Sequence, residues 1–192
     1  MMQIIVRDAV SAMRKEFKKL TDSQFNLGVA RAINFVAAKA KTKASRDIRE
    51  IYKIRAKDIS KAITVKKASR QTLTGFIVAT GNPLPLIAFG ARQTKTGVSV
   101  NIMGTRKVVK RAFIATLKSG HRGVFARGQY GDAKFIFGKA RLPITELTTV
   151  SVPRSFMTDK VLKAMESQIS QDFPDRLLHE LTRIAETMKS NN

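Results

Sequence analysis

The chain has 192 residues, with 36 Lys and Arg against 14 Asp and Glu, and a formal net charge of +22. It contains no cysteine, which excludes a disulfide framework and a zinc site built on thiolates. The opening residues lack the apolar run of a signal peptide, and no stretch approaches the roughly 20 apolar residues of a membrane span. We therefore expect a soluble protein made in the cytoplasm.

The positive charge is concentrated in the middle of the chain. Residues 59–131 contain no Asp or Glu and hold 13 Lys and Arg. Residues 1–58 hold 14 basic and 6 acidic residues, whereas residues 132–192 hold 9 and 8. A field of this kind attracts phosphate polymers or an acidic protein surface.

Helices are predicted for the first third of the chain. Apolar residues at helical spacing from Val6 to Leu20 predict a short amphipathic helix. Thr21 and Gln24 fit a capping box, so a new helix should begin there. The apolar stripe that follows predicts a helix over 23–51, about 40 Å long at 1.5 Å per residue. Such a helix exceeds what a small sheet can cover, so one end should project or pack against another subunit. The segment 55–63 fits one or two further turns.

An antiparallel sheet is predicted for the middle of the chain. Ten of the 11 glycines fall between Gly75 and Gly138, and they separate runs rich in β-branched and aromatic residues. The Gly-, Lys- and Arg-rich segments 91–97, 104–111 and 128–134 are predicted to be the least regular parts. The predicted strands are 73–80, 86–89, 98–103, 112–117, 124–127 and 142–150.

The last part of the chain is predicted to be helical from about Thr158. Its apolar stripe runs from Val161 to Met188 and contains Pro174, where we expect a kink or a break. The order of helices, sheet and helix predicts an α+β fold. We predict one domain over 1–192, helical over 1–63, β-rich and basic over 64–152, and helical over 153–192.

Enzyme chemistry has little support in the sequence. His121 stands in a predicted loop, and the nearest acidic residue beyond it is Asp132; His179 lies off the apolar stripe of the last helix. No acid–base pair, phosphate-binding glycine loop or metal-ligand spacing is present. We therefore predict no enzyme activity, no catalytic residue, no cofactor and no metal.

Nucleic-acid binding is the stronger chemical hypothesis. Phe113, Phe125 and Tyr130 interleave with the basic residues, as a base-stacking platform would require. Phenylalanines that alternate along a strand equally fit core positions, and no RNA- or DNA-reading signature occurs. Unspecific attraction of phosphate and contact with an acidic protein both stay open. The densest basic cluster is Arg106, Lys107, Lys110 and Arg111, continued by Lys118, Arg122 and Arg127.

Several segments resemble the prophage minor tail protein Z family of long-tailed phages, in the same order and over about 24–190. The first is Ala30-Arg31-Ala32-Ile33-Asn34 with Ala37-Ala38, Arg46 and Arg49. The second is Ala112-Phe113-Ile114 with Leu117-Lys118-Ser119-Gly120-His121. The third is Arg141-Leu142-Pro143-Ile144, followed by Ser151-Val152-Pro153.

The resemblance implies a structural virion component without enzymatic activity, a tail completion or neck protein near the head–tail junction. It implies a small antiparallel sheet flanked by helices, assembled as a homo-oligomeric ring, with a hexamer as one expectation for its size, and synthesis in the host bacterial cytoplasm. The implied partners are other tail or connector proteins and the DNA in the lumen, with no membrane. Residues 1–20 depart from the family pattern.

A set of basic residues is predicted to form the interface of such a ring. Their role would be electrostatic docking, which speeds and orients assembly more than it adds affinity. The alternative is a stand-alone basic nucleic-acid-binding protein, whose affinity would fall steeply with salt. The predicted interface residues are Arg31, Lys39, Lys43, Arg46 and Arg49 on the long helix, and Arg106, Lys107, Lys110, Arg111, Lys118, Arg122 and Arg127.

Overall fold

The computed structural model describes residues 2–3, 7–130 and 134–190. Val6 and residues 131–133, which were included in the predicted first helix and the third irregular segment, lie outside the described residues. The predicted α+β fold is confirmed. The α-helices are α1 (Arg7–Glu16), α2 (Asp22–Ile51), α3 (Ala56–Ala62), α4 (Val152–Phe156) and α5 (Asp159–Ser190).

All sheets are antiparallel, and their strands are short. The strands are β1 (Met2–Gln3), β2 (Ile63–Lys66), β3 (Phe76–Ala79), β4 (Pro83–Pro85), β5 (Arg92–Gln93), β6 (Gly97–Asn101), β7 (Arg106–Lys110), β8 (Ala112–Thr116), β9 (Arg122–Tyr130), β10 (Phe135–Phe137), β11 (Ile144–Glu146) and β12 (Thr148–Ser151). One sheet has the order β1–β3–β2 and another the order β5–β6–β7. The central strand β9 pairs with β8, β10 and β11, and β12 pairs with β4.

The chain forms two compact units that alternate along the sequence. The first unit comprises 1–47, 60–80 and 156–192, and the second comprises 48–59 and 81–155. The prediction of a single tail-completion-like domain over 1–192 stays a prediction.

The long helix α2 begins where the sequence indicates. The Thr21 N–H donates to Gln24 Oε1 at 2.9 Å, and the Gln24 N–H donates to Thr21 Oγ1 at 3.4 Å. This reciprocal pair is the predicted capping box, which satisfies backbone donors that have no partner inside the helix. The predicted apolar stripe is buried from Phe25 to Ile48, which confirms the helix and its inner face.

In the first unit, α2 and α5 run antiparallel. Gly28 lies against Leu181, Arg31 against Glu180 and Lys39 against Asp172, so the residue numbers fall along α5 as they rise along α2. A Cβ at Gly28 would stand 2.6 Å from Leu181 Cδ2, so the absent side chain lets the helices approach closely. Buried side chains of α5 continue this core: Val161, Met165, Ile169, Phe173, Leu177 and Leu181.

Of the kink or break predicted at Pro174, the break does not occur. Helix α5 is continuous from Asp159 to Ser190, with Pro174 inside it. A proline removes one backbone donor and crowds the preceding turn. Phe173 and Leu177 are buried on either side of it, and this apolar burial offsets the lost hydrogen bond and keeps the chain helical.

The second unit has its own apolar core. Strands from separate sheets contribute to it, together with a 3₁₀ turn over Leu86–Phe89. The buried members are Leu86, Val98, Val100, Ala112, Val124, Ala126 and Leu147.

Several strand predictions are corrected. The segment 86–89 is a 3₁₀ turn because Pro85 starts it in an extended conformation and Gly90 ends it with a left-handed φ of 61°. The predicted strand 142–150 is divided into β11 and β12 at Leu147, whose N–H donates to Val124 O and whose carbonyl accepts the Leu86 N–H. The predicted strand 73–80 shortens to β3, and β9 extends beyond the predicted 124–127. The sequence prediction missed β1, β2, β4 and β10, whereas α4 falls almost wholly within the predicted helical range 153–192.

Two segments predicted to be irregular contain strands. Residues 92–93 form β5, and Arg106–Lys110 form β7, which pairs with β6 over its whole length. The Lys and Arg residues of β7 led to the prediction of an irregular segment, although its centre is the β-branched pair Val108-Val109. A Cβ at Gly97 would stand 2.1 Å from the Val109 carbonyl oxygen, so glycine is required where β6 meets β7.

Glu180 is a buried carboxylate that stabilises the first unit. Its side chain is 2% exposed and forms ion pairs with Arg176, Arg183 and Arg31.

We expect Glu180→Gln to lower the free energy of unfolding by about 1–3 kcal/mol, because the three partly exposed guanidiniums lose their common counter-charge. Urea denaturation would measure this. Glu186→Gln, an exposed residue of α5 without an ion pair among the described residues, is the matched control and should change stability by less than about 0.5 kcal/mol. Equal effects of the two changes would contradict this role of Glu180.

The close approach at Gly97 provides a second stability prediction. Gly97→Ala should destabilise the protein by about 1–3 kcal/mol, since the added methyl group meets backbone rather than a flexible side chain. Gly138→Ala is the control, because a Cβ there would meet only ordinary contacts, the nearest at 3.6 Å. Thermal unfolding followed by circular dichroism would compare the two, and an unchanged midpoint for Gly97→Ala would contradict the packing described.

Candidate interaction surface

Three of the predicted interface cations on α2 form ion pairs with the protein's own carboxylates. Arg31 Nη1 lies 3.9 Å from Glu180 Oε2, and Lys39 Nζ lies 3.0 Å from Asp172 Oδ2. Lys43 pairs with Asp47, whose side chain is 4% exposed. These residues are therefore partly neutralised within the first unit. Arg46 and Arg49 are exposed and form no ion pair with any described residue.

Phe35 of α2 contacts cations from both long helices of the first unit. Its ring is contacted by Arg176, whose guanidinium carbon lies 4.1 Å from the ring centroid, and by Lys39, whose ammonium lies at 5.7 Å. Phe35 is 39% exposed, so these cations cover part of an apolar surface. The sequence analysis missed Phe35, Arg176 and Glu180, because nothing local marks residues that meet from distant helices.

The four basic residues at β7 do not form one uniform cluster. Successive side chains of a strand point to opposite faces, so Lys107 faces away from Arg106 and Lys110. The Arg106 guanidinium donates to the Gly90 carbonyl at 2.7 Å and to Ser99 Oγ at 3.1 Å. Lys107 and Lys110 are exposed, and neither forms an ion pair with a residue that the structure describes.

Arg111 has a structural role at the turn between β7 and β8. Its φ of 64° is left-handed, an uncommon conformation for a residue with a side chain. Its guanidinium donates to the Gly138 carbonyl at 3.1 Å and lies 5.4 Å from the Phe137 ring centroid. Arg106 and Arg111 therefore have some of their donors committed to the protein itself.

The remaining predicted cations lie at the end of β8 and along β9. Lys118, Arg122 and Arg127 are exposed. The guanidinium of Arg127 lies 6.0 Å from the Phe113 ring centroid. All three belong to the second unit.

The aromatic residues do not assemble a base-stacking platform. Phe125 is 4% exposed and packs against Phe113, with ring centroids 6.4 Å apart. The Tyr130 ring packs edge-on against Phe135, and its hydroxyl accepts the Thr148 N–H at 2.8 Å. Phe125 is therefore committed to the core, whereas Tyr130 is 46% exposed.

His121 has a carboxylate partner that the sequence analysis did not identify. Its Nε2 lies 3.0 Å from Glu146 Oε1, although 25 residues separate the two. The pairing of β9 with β11 brings them together, and it could not be read from sequence distance. His179 is exposed, as predicted. Over the described ranges, no group of three or more His, Asp and Glu could hold a metal ion, and no helix is long and apolar enough to cross a membrane.

The two units differ in charge balance. The first contains 19 basic and 10 acidic residues, and the second contains 17 basic and 4 acidic residues. In the described part of the second unit, the ion pairs are Arg55–Asp58 and His121–Glu146. Most cations of the second unit thus have no counter-charge within the described chain.

Comparison with known proteins identifies the family. A family model for prophage minor tail protein Z matches residues 7–188, nearly the whole chain. Searches of curated proteins and of solved structures each found no match. Residues 7–20 fall within the family match, although the sequence analysis placed them outside the resemblance. The chain belongs to the prophage minor tail protein Z family and is a structural protein of a phage tail.

Proposed function

We propose that this protein is a tail completion subunit that joins the phage tail to the head, and that it acts as a homo-oligomeric ring. The observation that carries the proposal is the uncompensated charge of the second unit, 17 basic against 4 acidic residues, in a chain of this family. Cations without internal partners are available to meet acidic neighbours. Head-to-tail contacts between identical subunits close into a ring when the rotation between them permits it.

The predicted interface residues divide into two groups under this proposal. Arg31, Lys39 and Lys43 stabilise the subunit, since each already has a carboxylate partner. The outward contacts are assigned to the cations without such partners in the described chain. These are Arg46, Arg49, Lys107, Lys110, Lys118, Arg122 and Arg127, with the remaining donors of Arg106 and Arg111.

Binding to DNA alone is the second candidate, favoured by the same excess of cations. Affinity for a nucleic-acid backbone needs only phosphate contacts, which the second unit could supply. The packing of Phe113 against the buried Phe125 leaves that candidate without the predicted three-residue stacking platform. Contact with virion DNA in the lumen of a ring is compatible with both candidates.

Charge reversal tests the proposed docking role. We expect replacement of Arg106, Lys107, Lys110 and Arg111 by Glu to reduce the yield of infectious particles by at least about tenfold, because attraction to an acidic neighbour becomes repulsion. Electron microscopy of the lysate should show separate heads and tails. The measurement is complementation of a phage that lacks its own copy of the gene.

A second quadruple variant controls for net charge. Lys61, Lys66, Lys67 and Arg70 lie in the first unit, are exposed and form no ion pair among the described residues. Their replacement by Glu changes the net charge equally and should leave the yield within about threefold of wild type. Equal losses for the two variants, or an unchanged yield for the first, would refute docking through the β7 cluster.

Salt dependence tests ring assembly. Light scattering at low salt should give the mass of the 21.3 kDa monomer, and at high salt a multiple near six subunits. The reason is that salt screens the repulsion between like-charged subunits, with a Debye length of about 3 Å at 1 M against about 30 Å at 0.01 M. A monomer at every salt concentration, also after mixing with purified tails, would contradict the ring.

A further inference from the structure

The second unit contains a groove whose lining shares one residue, Lys107, with the docking contacts proposed above. Its volume is about 1210 Å³, and all its lining residues belong to this unit. One part of the lining is apolar and comes from β6 and the residues after it: Val100, Ile102 and Met103. Another part is strand β12, which contributes the consecutive residues Thr148–Ser151.

The groove is positively charged. Lys107, Lys134 and Arg154 line it, and no Asp or Glu does so among the described residues. None of the three forms an ion pair within the described ranges. An occupant that carries carboxylates would supply the missing counter-charge, and attraction in a partly enclosed groove is screened less than at an open surface.

The lining also presents the edge of a strand. Successive side chains in a strand alternate between its two faces, so four consecutive lining residues indicate that β12 exposes its edge. In the described structure β12 pairs as a strand only with β4, and β7, which contributes Lys107, pairs only with β6. Within β12 the Thr148 N–H is already bonded to the Tyr130 hydroxyl, so a peptide would pair with the residues that follow Thr148. An unpaired strand edge can bind an extended peptide through main-chain hydrogen bonds.

These features favour a peptide over a nucleic acid. Apolar residues in the lining suit alternate side chains of an extended segment, whereas a single strand of DNA needs free aromatic faces. Two tyrosines, Tyr52 and Tyr130, also line the groove, and the Tyr130 hydroxyl bonds to Thr148. Oligothymidine is therefore the competing ligand in the test below. A second copy of this chain is a poor source, because 12 of its 14 acidic residues lie in helices.

We propose that this groove binds an extended, acidic segment of a different protein. The segment adds beside β12, places apolar side chains against Ile102 and Met103, and directs carboxylates toward Lys107, Lys134 and Arg154. The proposal does not require ring assembly, so its test is independent of that for the proposed function.

The probe is a fluorescein-labelled decapeptide of alternating Glu and Val, titrated with the full-length protein and followed by fluorescence anisotropy. We expect Lys107→Glu to weaken binding at least about tenfold, because the contact becomes repulsive. Lys110→Glu is the matched control: it lies on the same strand, makes the same charge change and does not line the groove. It should weaken binding less than about threefold. Arg154→Glu, on α4, should reproduce the loss if Lys107→Glu disturbs β7.

Two further ligands distinguish the alternatives. A decapeptide of alternating Lys and Val should not bind, and oligothymidine of the same length should bind more weakly than the acidic peptide. Absence of binding by the acidic peptide would overturn the proposal, as would equal losses for Lys107→Glu and Lys110→Glu. Tighter binding of oligothymidine that Lys107→Glu abolishes would overturn it too and assign the groove to nucleic acid.

Discussion

The structure depends on how a chain with 36 basic and 14 acidic residues uses its few carboxylates. Helix α2 has 6 basic and 3 acidic residues, whereas α5 has 5 basic and 6 acidic residues, so α5 supplies carboxylates to the cations of α2. Glu180 of α5 pairs with Arg31 of α2 and with Arg176 and Arg183 of its own helix, and Asp172 pairs with Lys39. Removing a carboxylate from water is costly, and this geometry offsets the cost by giving Glu180 several charged hydrogen-bond donors. Because carboxylates are concentrated in the first unit, the second unit has few.

The parts of the fold that local interactions determine could be predicted. The capping box at Thr21 and the apolar stripe of α2 involve residues three or four positions apart, and both the start and the end of the helix follow from them. Strand β7 could not be predicted in this way. Its basic residues outnumber the two β-branched residues at its centre, so its composition does not indicate a strand. The strand forms by pairing with β6, a separate segment of the chain, and Gly97 permits the close approach of the two.

The sequence could show which cations belong to the candidate surface. It could not show which of them pair with carboxylates of the same chain and which have no such partner among the described residues. The sequence treats Arg31 and Lys107 as equivalent cations. In the fold, Arg31 meets a carboxylate 149 positions away, whereas Lys107 meets none in the described chain. Nothing in the sequence marks Glu180, which lies off the apolar stripe of α5 beside the exposed His179. It is buried because arginines of its own helix and Arg31 of α2 surround it.

The charge left in the second unit limits how the protein can assemble. At physiological ionic strength the Debye length is about 8 Å, so only charges near an interface contribute strongly to its stability. Identical subunits cannot neutralise one another when each second unit holds 17 basic and 4 acidic residues. In the proposed ring, the counter-charge must therefore come from other molecules in direct contact with the subunits. An acidic neighbour that binds these cations would favour the subunit incorporated in the tail over the free subunit in solution. Under this proposal, ring formation is coupled to tail assembly.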